Sequence, residues 1–443
     1  MTDPNEVKVE ALLGIINSSA REAMAEYKNT GHGVPDIDAG TFHPLDLATD
    51  TLVLRKAIRL LEGACEQLNT ILAPPQHTAY NASSVNNYNW ACMDVAAQSC
   101  VADVLEKHPE GLSVDALADA VNLDKIKLAR VLRFLSLRGC FKEVKQDVFA
   151  NTRLSLVLKS TNNVGSCIRN HRRCPKYAAV LYETMIDQEF ARSHTVEKAP
   201  RAFLLRTEGK TKNFWEMDGK AREIFHRAML GHSEVHGSYA VLHYYPWDNV
   251  SSMVDVGSGT GTISIPLAKM FPRLRITNQD LPETLKLSRN IWEKNAPEAL
   301  LDGRVEFVTL NFLEESPVVG KDVYYLRGII HDWPDDESRV ILRNIRKVMR
   351  PDSRVLIHDY VLLRKFEEPD VGANDFSEAP DPTLLNFGSN TAHQHDMTMW
   401  LLFNGKERTL NEFKIIGASA GLVLTQTYDF VGTMLLEFRA AED

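Results

Sequence analysis

Val254 to Ala268 reads V-D-V-G-S-G-T-G-T-I-S-I-P-L-A: a short apolar strand, a turn with glycine at alternate positions, and the start of a helix. Glycine is required where backbone bends tightly and where a ligand must approach with no Cβ in the way. Working outward from this turn, apolar runs predict strands at Ser252 to Val256, Arg275 to Asn278, Val305 to Thr309, Asp322 to Leu326, Arg354 to Ile357, Leu422 to Tyr428 and Thr433 to Phe438. Helical patterns fill the intervals, and such alternation specifies an α/β sheet of mostly parallel strands. Lys365 to His395 is the exception: it holds Pro369, Gly372, Pro380, Pro382 and Gly388 with little periodicity, and a connection that long is usually functional or mobile.

Upstream the pattern is helical. Val7, Leu12, Leu13, Ile16, Ala20 and Met24 recur at helical spacing between Pro4 and about Asn29; Leu54, Ile58, Leu61, Cys65, Leu68 and Ile71 form a second such run, closed by Pro74-Pro75. Gly31 to Pro44, rich in Gly, Pro and Asp, reads as a flexible connection between them. These helices need a surface to cover, on their own domain or on a second copy of the chain. Next come a helix from Ala91 to Lys107, a helix opened by Ser113, a third from Asp124 to Arg138, and extended runs at Phe141 to Val144 and Val148 to Ala150. Three helices followed by a small β-wing is the winged-helix pattern, open to two uses: DNA binding through the third helix, or dimerisation. The expected divisions are 1–84 (N-terminal helices, dimerisation), 85–160 (winged helix), 161–245 (connecting helices lining a substrate pocket) and 246–443 (catalytic sheet).

Composition narrows the function. The chain has 443 residues, with 50 Lys+Arg against 59 Asp+Glu and a net charge of −9. No basic excess exists to displace counterions from nucleic acid or to hold an anionic membrane, so neither is an expected partner. Cysteines at 65, 92, 100, 140, 167 and 174 contain no C-x-x-C pair and read as reduced thiols. The N-terminus lacks the basic start and apolar run of a secretory signal, and no apolar stretch approaches the ~20 residues that span a bilayer. A cytoplasmic enzyme is the expectation.

The glycine turn points to a nucleoside-bearing ligand. Its spacing is G-x-G-x-G (Gly257, Gly259, Gly261), whereas the dinucleotide fingerprint places its third glycine one residue later. Asp280, about 20 residues on and at the end of the next strand, is placed to accept both ribose hydroxyls. Together these favour S-adenosylmethionine over a dinucleotide. The second motif is L-R-G-I-I-H-D-W-P-D-D-E, Leu326 to Glu337, at the carboxyl end of a predicted strand, where open α/β sheets keep their ligands. A neutral imidazole there can take a proton from a hydroxyl, and phenols with pKa near 10 need that service at neutral pH.

With these motifs the chain resembles the metal-independent small-molecule O-methyltransferases of the caffeic-acid type, common in plant and fungal secondary metabolism. Four segments carry the resemblance in order: F-H-R-A-M-L-G-H-S (Phe225 to Ser233), V-D-V-G-S-G-T-G (Val254 to Gly261), I-I-H-D-W (Ile329 to Trp333) and N-G-K-E-R-T (Asn404 to Thr409). It covers Trp90 to the C-terminus. It implies a class I S-adenosylmethionine-dependent methyltransferase sheet, Rossmann-like, joined to an N-terminal all-α and winged-helix dimerisation domain, and a homodimer.

The resemblance implies His331 as general base, with Asp359 and Glu407 as orienting carboxylates. Asp359 stands where plant members mostly carry glutamate. For the cofactor, it implies Gly257 and Gly259 at the methionine moiety with Asp255 in the same set, Asp280 at the ribose and Ser233 at the carboxylate end. Asn311-Phe312 replaces the usual acid followed by Met or Phe beside adenine, and Arg327 replaces a lysine four residues before the histidine. Substrate-facing positions are Phe225, Met229, His232, Asp332, Met399 and Asn404; for Asp332 a helix-capping role is the alternative. His393, His395 and Asp396 make a poor metal site, and no metal is expected. The expected reaction is methylation of a phenolic or polyketide-like hydroxyl, leaving S-adenosylhomocysteine. The rivals are a pericyclase or cyclase on the same fold that uses the sulfonium as a fixed charge, and a winged-helix DNA-binding regulator.

Overall fold

The computed structural model describes residues 3–207, 219–363, 384–385 and 391–442. The long connection from Lys365 thus lies almost wholly outside the described residues, and its last residues open the helix Thr391–Phe403. The chain divides into two compact units: Met1–Arg173 with Phe214–Val235 and Pro382–Gly388, and Cys174–Asn213 with His236–Asp381 and Ser389–Asp443.

In the first unit the helices Pro4–Asn29 and Leu52–Leu72 pack on each other. Leu12, Ala64 and Leu384 are buried there, with Ile15, Ile16, Leu60 and Leu68 against them. The apolar stripes are therefore partly covered within the unit, while Val7, Leu13, Met24, Ile71 and Leu72 stay exposed. The intervening Gly31 to Pro44 segment is pinned, in contrast to the flexible connection expected: His43 is buried edge-on to Tyr27 at 4.9 Å, and Lys142 donates to the Asp38 carbonyl at 2.9 Å. The second run ends at Leu72, before Pro74-Pro75 as expected, but the pair does more than close it. Pro75 starts a new helix, Pro75–Gln98, because proline at the first helical position loses only an N–H that has no partner there anyway. The helix expected over Ala91 to Lys107 is consequently split, and Cys100, with φ of 55°, separates it from Val101–Leu105.

The helices Val114–Val121, capped by Ser113, and Lys125–Ser136, capped by Asp124, follow as expected. Lys142–Lys145, Val148–Ala150 and Leu112–Ser113 form a small antiparallel sheet. Leu117, Leu128, Leu132, Leu135, Phe141 and Phe149 fill the core beneath it. Two cations of the third helix are paired within the unit: Lys125 with Asp115 at 2.5 Å, and Arg133 with Glu143 at 2.9 Å and Asp147 at 2.5 Å.

The second unit is built on a seven-stranded sheet: β1 Ser252–Val256, β2 Arg275–Asp280, β3 Val305–Thr309, β4 Val323–Arg327, β5 Arg354–Asp359, β6 Leu422–Asp429 and β7 Met434–Ala440. Their order is β6-β7-β5-β4-β1-β2-β3, parallel except for β7, which runs antiparallel to both neighbours. Successive side chains face opposite layers. Met253, Ile276, Tyr325, Leu356 and Leu435 pack on one side; Val254, Tyr324, Leu326, Ile357 and Leu436 pack on the other, so both faces are buried. Strand order reverses between β1 and β4, and the carboxyl ends beside such a reversal frame a crevice. The glycine turn leaves β1 and the His331 segment leaves β4 at that point.

Candidate active site

At the end of β1, Gly257, Gly259 and Gly261 take φ of 74°, 54° and 87°, left-handed backbone that a side chain would strain. Their surroundings differ. A Cβ on Gly257 would stand 2.4 Å from Ile329 Cδ1, and one on Gly261 would stand 2.6 Å from Trp292 Nε1. Around Gly259 nothing lies within 4 Å of that position, so this glycine faces open space. Its N–H donates to Asp280 Oδ2 at 2.8 Å, and Leu281 N–H donates to Oδ1 at 2.7 Å. Asp280 is thereby aimed at the turn, with burial pushing its proton affinity up and the two N–H donors opposing that. Asp255, buried beneath the turn, accepts the Ser264 hydroxyl. Burial raises its carboxyl to about 7. Ser258 Oγ and Arg327 Nε are buried without a hydrogen-bond partner among the described residues, while Arg327 Nη2 donates to Ser238 Oγ at 3.2 Å. An open glycine, an aimed carboxylate and two unpartnered polar atoms suit a polar ligand carrying a ribose.

The His331 segment is a single 3-10 turn, Ile330–Asp332. Its imidazole is buried, and Nδ1 lies 2.9 Å from Glu407 Oε1. A carboxylate only accepts, so Nδ1 carries the hydrogen and, in the neutral ring, Nε2 is bare. Burial works against the charged ring, but Glu407, Asp332 and Asp359 outweigh it and raise His331 to about 10. Burial likewise works against ionised Glu407, and the two imidazoles beside it hold it at about 2.

Glu407 is delivered by the short strand that follows it. Arg408–Thr409 pairs in parallel with Val361–Leu362, just beyond β5. Arg408 is fully buried and clamps the turn that carries His331: Nη1 donates to the Ile330 carbonyl at 2.8 Å, and Nη2 donates to the Trp333 carbonyl at 2.7 Å and to Asp335 at 2.8 Å.

Not every expected partner bonds to His331. Asp359 Oδ1 accepts the Gly328 N–H at 2.9 Å and Oδ2 has no partner among the described residues, so Asp359 acts on the imidazole through charge and not as a hydrogen-bond orienter. The physical reason is placement: Asp359 ends β5 and spends its oxygen on the Gly328 turn. Asp332 Oδ1 lies 3.7 Å from His331 Nε2, beyond hydrogen-bond range, and burial raises its carboxyl to about 6. The following helix, Asp335–Arg346, has no side-chain cap, so the capping role is not realised. Asn311 Oδ1 accepts the Leu313 N–H at 3.3 Å, and Phe312 meets Trp333 edge-on at 5.8 Å. Met399 is buried in Thr391–Phe403. Asn404, at φ 52°, donates to the Thr195 carbonyl at 2.7 Å, a tie that shapes the loop before Glu407. Phe225, Met229, His232 and Ser233 lie on the helix Gly219–Val235 of the first unit. There Ser233 Oγ bonds back to the Met229 carbonyl at 3.1 Å, and His232 Nε2 lies 3.2 Å from His171 Nε2.

The site also holds residues that sequence reading passed over. His395 Nδ1 lies 2.6 Å from the same Oε1 of Glu407, and its ring stacks on Tyr360 at 3.9 Å and 16°. Atoms of His331, His395 and Glu407 all fall within 4.8 Å of one another, and the two hydrogen bonds account for that closeness. Asp396, read with His393 and His395 as a poor metal site, instead accepts the Glu407 backbone N–H at 2.8 Å.

Comparison with known proteins settles the family. Residues 192–423 match the O-methyltransferase domain and residues 87–161 the O-methyltransferase dimerisation domain. The chain belongs to the O-methyltransferase family. It is 34% identical over 447 residues to 3-O-methyltransferase 2 of Phanerochaete chrysosporium, covering 98% of each chain. It is 29% identical to O-methyltransferase gedA of Aspergillus terreus, covering 94% of this chain and 92% of that one. Among solved structures, the mitomycin 7-O-methyltransferase MmcR is 26% identical, with a TM-score of 0.63 over 83% of this chain and all of that one. Human N-acetylserotonin methyltransferase in complex with S-adenosylmethionine shares the fold at 18% identity and a TM-score of 0.65, covering 84% and 99% of the two chains. This O-methyltransferase is S-adenosylmethionine-dependent, and its family needs no metal. Among the described residues no helix is long and apolar enough to cross a membrane.

Proposed function

We propose that this O-methyltransferase methylates a phenolic or polyketide-like hydroxyl, with His331 as the general base and Glu407 as the group that fixes its tautomer. The observation that carries the reading is the His331 Nδ1 to Glu407 Oε1 bond at 2.9 Å, because it leaves Nε2 of the neutral ring as the acceptor. An imidazole raised to about 10 has the proton affinity of a phenolate, so transfer from a phenol runs with little uphill cost. When bound, the cofactor supplies the electrophilic methyl. Asp280 would accept the ribose hydroxyls; Gly257 and Gly259 would leave room for the methionine moiety; Asp255, Asn311, Phe312 and Arg327 complete the proposed set. Asp332, Met399 and Asn404 are proposed as acceptor-facing, and Phe225, Met229, His232 and Ser233 keep their assignments on the resemblance alone. The matched dimerisation domain and the exposed Val7, Leu13, Met24, Ile71 and Leu72 support a homodimer, which light scattering checks; reduced thiols support a cytoplasmic location, which imaging of a tagged protein checks.

His331→Ala tests the base. Turnover should fall by about 10²- to 10⁴-fold while S-adenosylhomocysteine affinity stays within about threefold, since the imidazole serves the acceptor proton. A fall of less than about tenfold would refute the assignment. In the wild type, kcat/KM should rise with pH through a limb above the ordinary histidine range of about 6.5, because the base works only after its raised proton is lost.

A further inference from the structure

Glu407 Oε1 receives two imidazoles, and only one of them is the proposed base. Nδ1 of His331 lies 2.9 Å from it and Nδ1 of His395 lies 2.6 Å from it. The His395 ring rests on Tyr360 at a centroid separation of 3.9 Å. His331 stands 5.3 Å from His395 and 6.3 Å from Tyr360, with its plane within 10° of both. Those three separations place His331 beside His395 and not above its face. The two rings lie side by side, and their Nδ1 atoms converge on one oxygen.

A carboxylate oxygen flanked in this way shares its negative charge between two donors. The other oxygen, Oε2, is buried without a partner among the described residues, where Oε1 carries the side-chain bonding of Glu407. Burial lowers the proton affinity of His395, which makes it a neutral donor with one hydrogen to give. Asp396 meanwhile fixes the Glu407 backbone. Building on the base assignment made above for His331, we propose that His395 is a positioning residue: its Nδ1 hydrogen bond holds the Glu407 carboxylate in place and draws off part of its charge, which limits how tightly His331 keeps its proton. Without that donor, Oε1 would serve His331 alone and stabilise the imidazolium further. The other charged or titratable groups that act on this cluster are Asp332, Asp359, Asp396, His393, Glu412, Arg327 and Arg408, with the rings of Tyr360 and His236 against His395.

Three variants separate a hydrogen-bonding role from a packing role. His395→Phe keeps a flat ring for Tyr360 and removes the donor. His395→Asn gives up the ring, yet its amide nitrogen sits the same two bonds from Cβ as Nδ1 and can donate to Oε1. His395→Leu, which has no donor, replaces the Phe variant if that protein does not fold. In the full-length enzyme, the Phe variant should lose about tenfold in kcat at its optimum, and the acid limb of kcat/KM should move up by about one pH unit. The Asn variant should recover most of both. Adding His395→Phe to His331→Ala should cost no further activity, because the two act through one carboxylate. The proposal is overturned if Phe behaves as wild type, if Asn behaves as Phe, or if the double variant is much worse than His331→Ala. Retained turnover in the single His331→Ala variant would instead overturn the base assignment, and so tells the two failures apart.

Discussion

Alanine at Gly259 and alanine at Gly257 should fail in different ways. At Gly259 a Cβ meets nothing within 4 Å, so the folded protein bears only the left-handed backbone at φ 54°, about 1 to 2 kcal/mol for a residue with a side chain. That predicts a thermal midpoint lowered by about 2 to 8 °C for a unit of this size. If the open space is the cofactor's, the new methyl group intrudes on it, and overpacking of that kind costs about 1 to 3 kcal/mol. S-adenosylhomocysteine should then bind about 5- to 150-fold more weakly. At Gly257 the Cβ would stand 2.4 Å from Ile329 Cδ1, so the side chain two residues before His331 must swing away. Strain and overpacking add there, and the midpoint should fall by at least about 5 °C. Calorimetric titration and thermal melts of both proteins decide the matter. A Gly259→Ala protein that binds S-adenosylhomocysteine as tightly as wild type would refute the placement of the cofactor at this turn.

Asp280→Ala should weaken S-adenosylhomocysteine binding by about 10- to 150-fold, the value of a charge-assisted hydrogen bond of about 1.5 to 3 kcal/mol; unchanged affinity in the same titration would remove the ribose assignment. Arg408→Met should lower the thermal midpoint by about 4 °C or more and slow turnover, since the carbonyls of Ile330 and Trp333 lose their donor at about 1 to 3 kcal/mol each; a midpoint within about 2 °C of wild type would argue against the clamp. Asp255→Asn should stabilise the protein at pH 8 but not at pH 4. Asp255 titrates near 7 in the fold against about 3.9 unfolded, so the wild type is free of the penalty for burying its charge below about 3.9, acquires it as pH rises and bears it fully above about 7; melts at the two values should show the gain only at the higher one.

Much of this was legible in the sequence because the physics was local. Strand and helix alternation, the G-x-G-x-G turn and the acid at the end of the next strand are short-range patterns, and the seven expected strands all enter the sheet. Helix caps were equally readable: Ser113 and Asp124 open the helices assigned to them. The misreadings arose where one residue type supports two outcomes. Proline ends a helix or begins one, and Pro74-Pro75 does both: the run before it stops at Leu72 as read, and Pro75 begins a helix that was not. A carboxylate near a histidine can bond to it or act at a distance, and Asp359 is already engaged with Gly328. His395 was set aside because two histidines two apart make a poor metal site; nothing in the spacing shows that its true partner is Glu407, twelve residues on. Arg408 sat inside a quoted motif, but a buried arginine and an exposed one look alike in a sequence.

The clamp explains how the proposed base can sit on a single 3-10 turn, an element too short to hold a side chain steady by its own hydrogen bonds. Consecutive residues of extended chain point to opposite sides, so the short strand and the residue just before it do two tasks. Glu407 reaches Nδ1 of His331, while Arg408 grips the carbonyls of Ile330 and Trp333 on either side of it. The imidazole is fixed at its ring and at its backbone by adjacent residues, and that pair is fixed in turn by pairing with Val361–Leu362 beyond β5. The arrangement also sets the charge of the site. Glu407, Asp332 and Asp359 surround one imidazole, more negative charge than His331 alone can balance, and Asp280 adds another carboxylate at the neighbouring turn. A surplus of buried carboxylates is costly for the empty protein and favours a cationic ligand. The sulfonium donor of this family is one, so the same surplus that raises the proton affinity of His331 is suited to binding a cofactor of opposite charge.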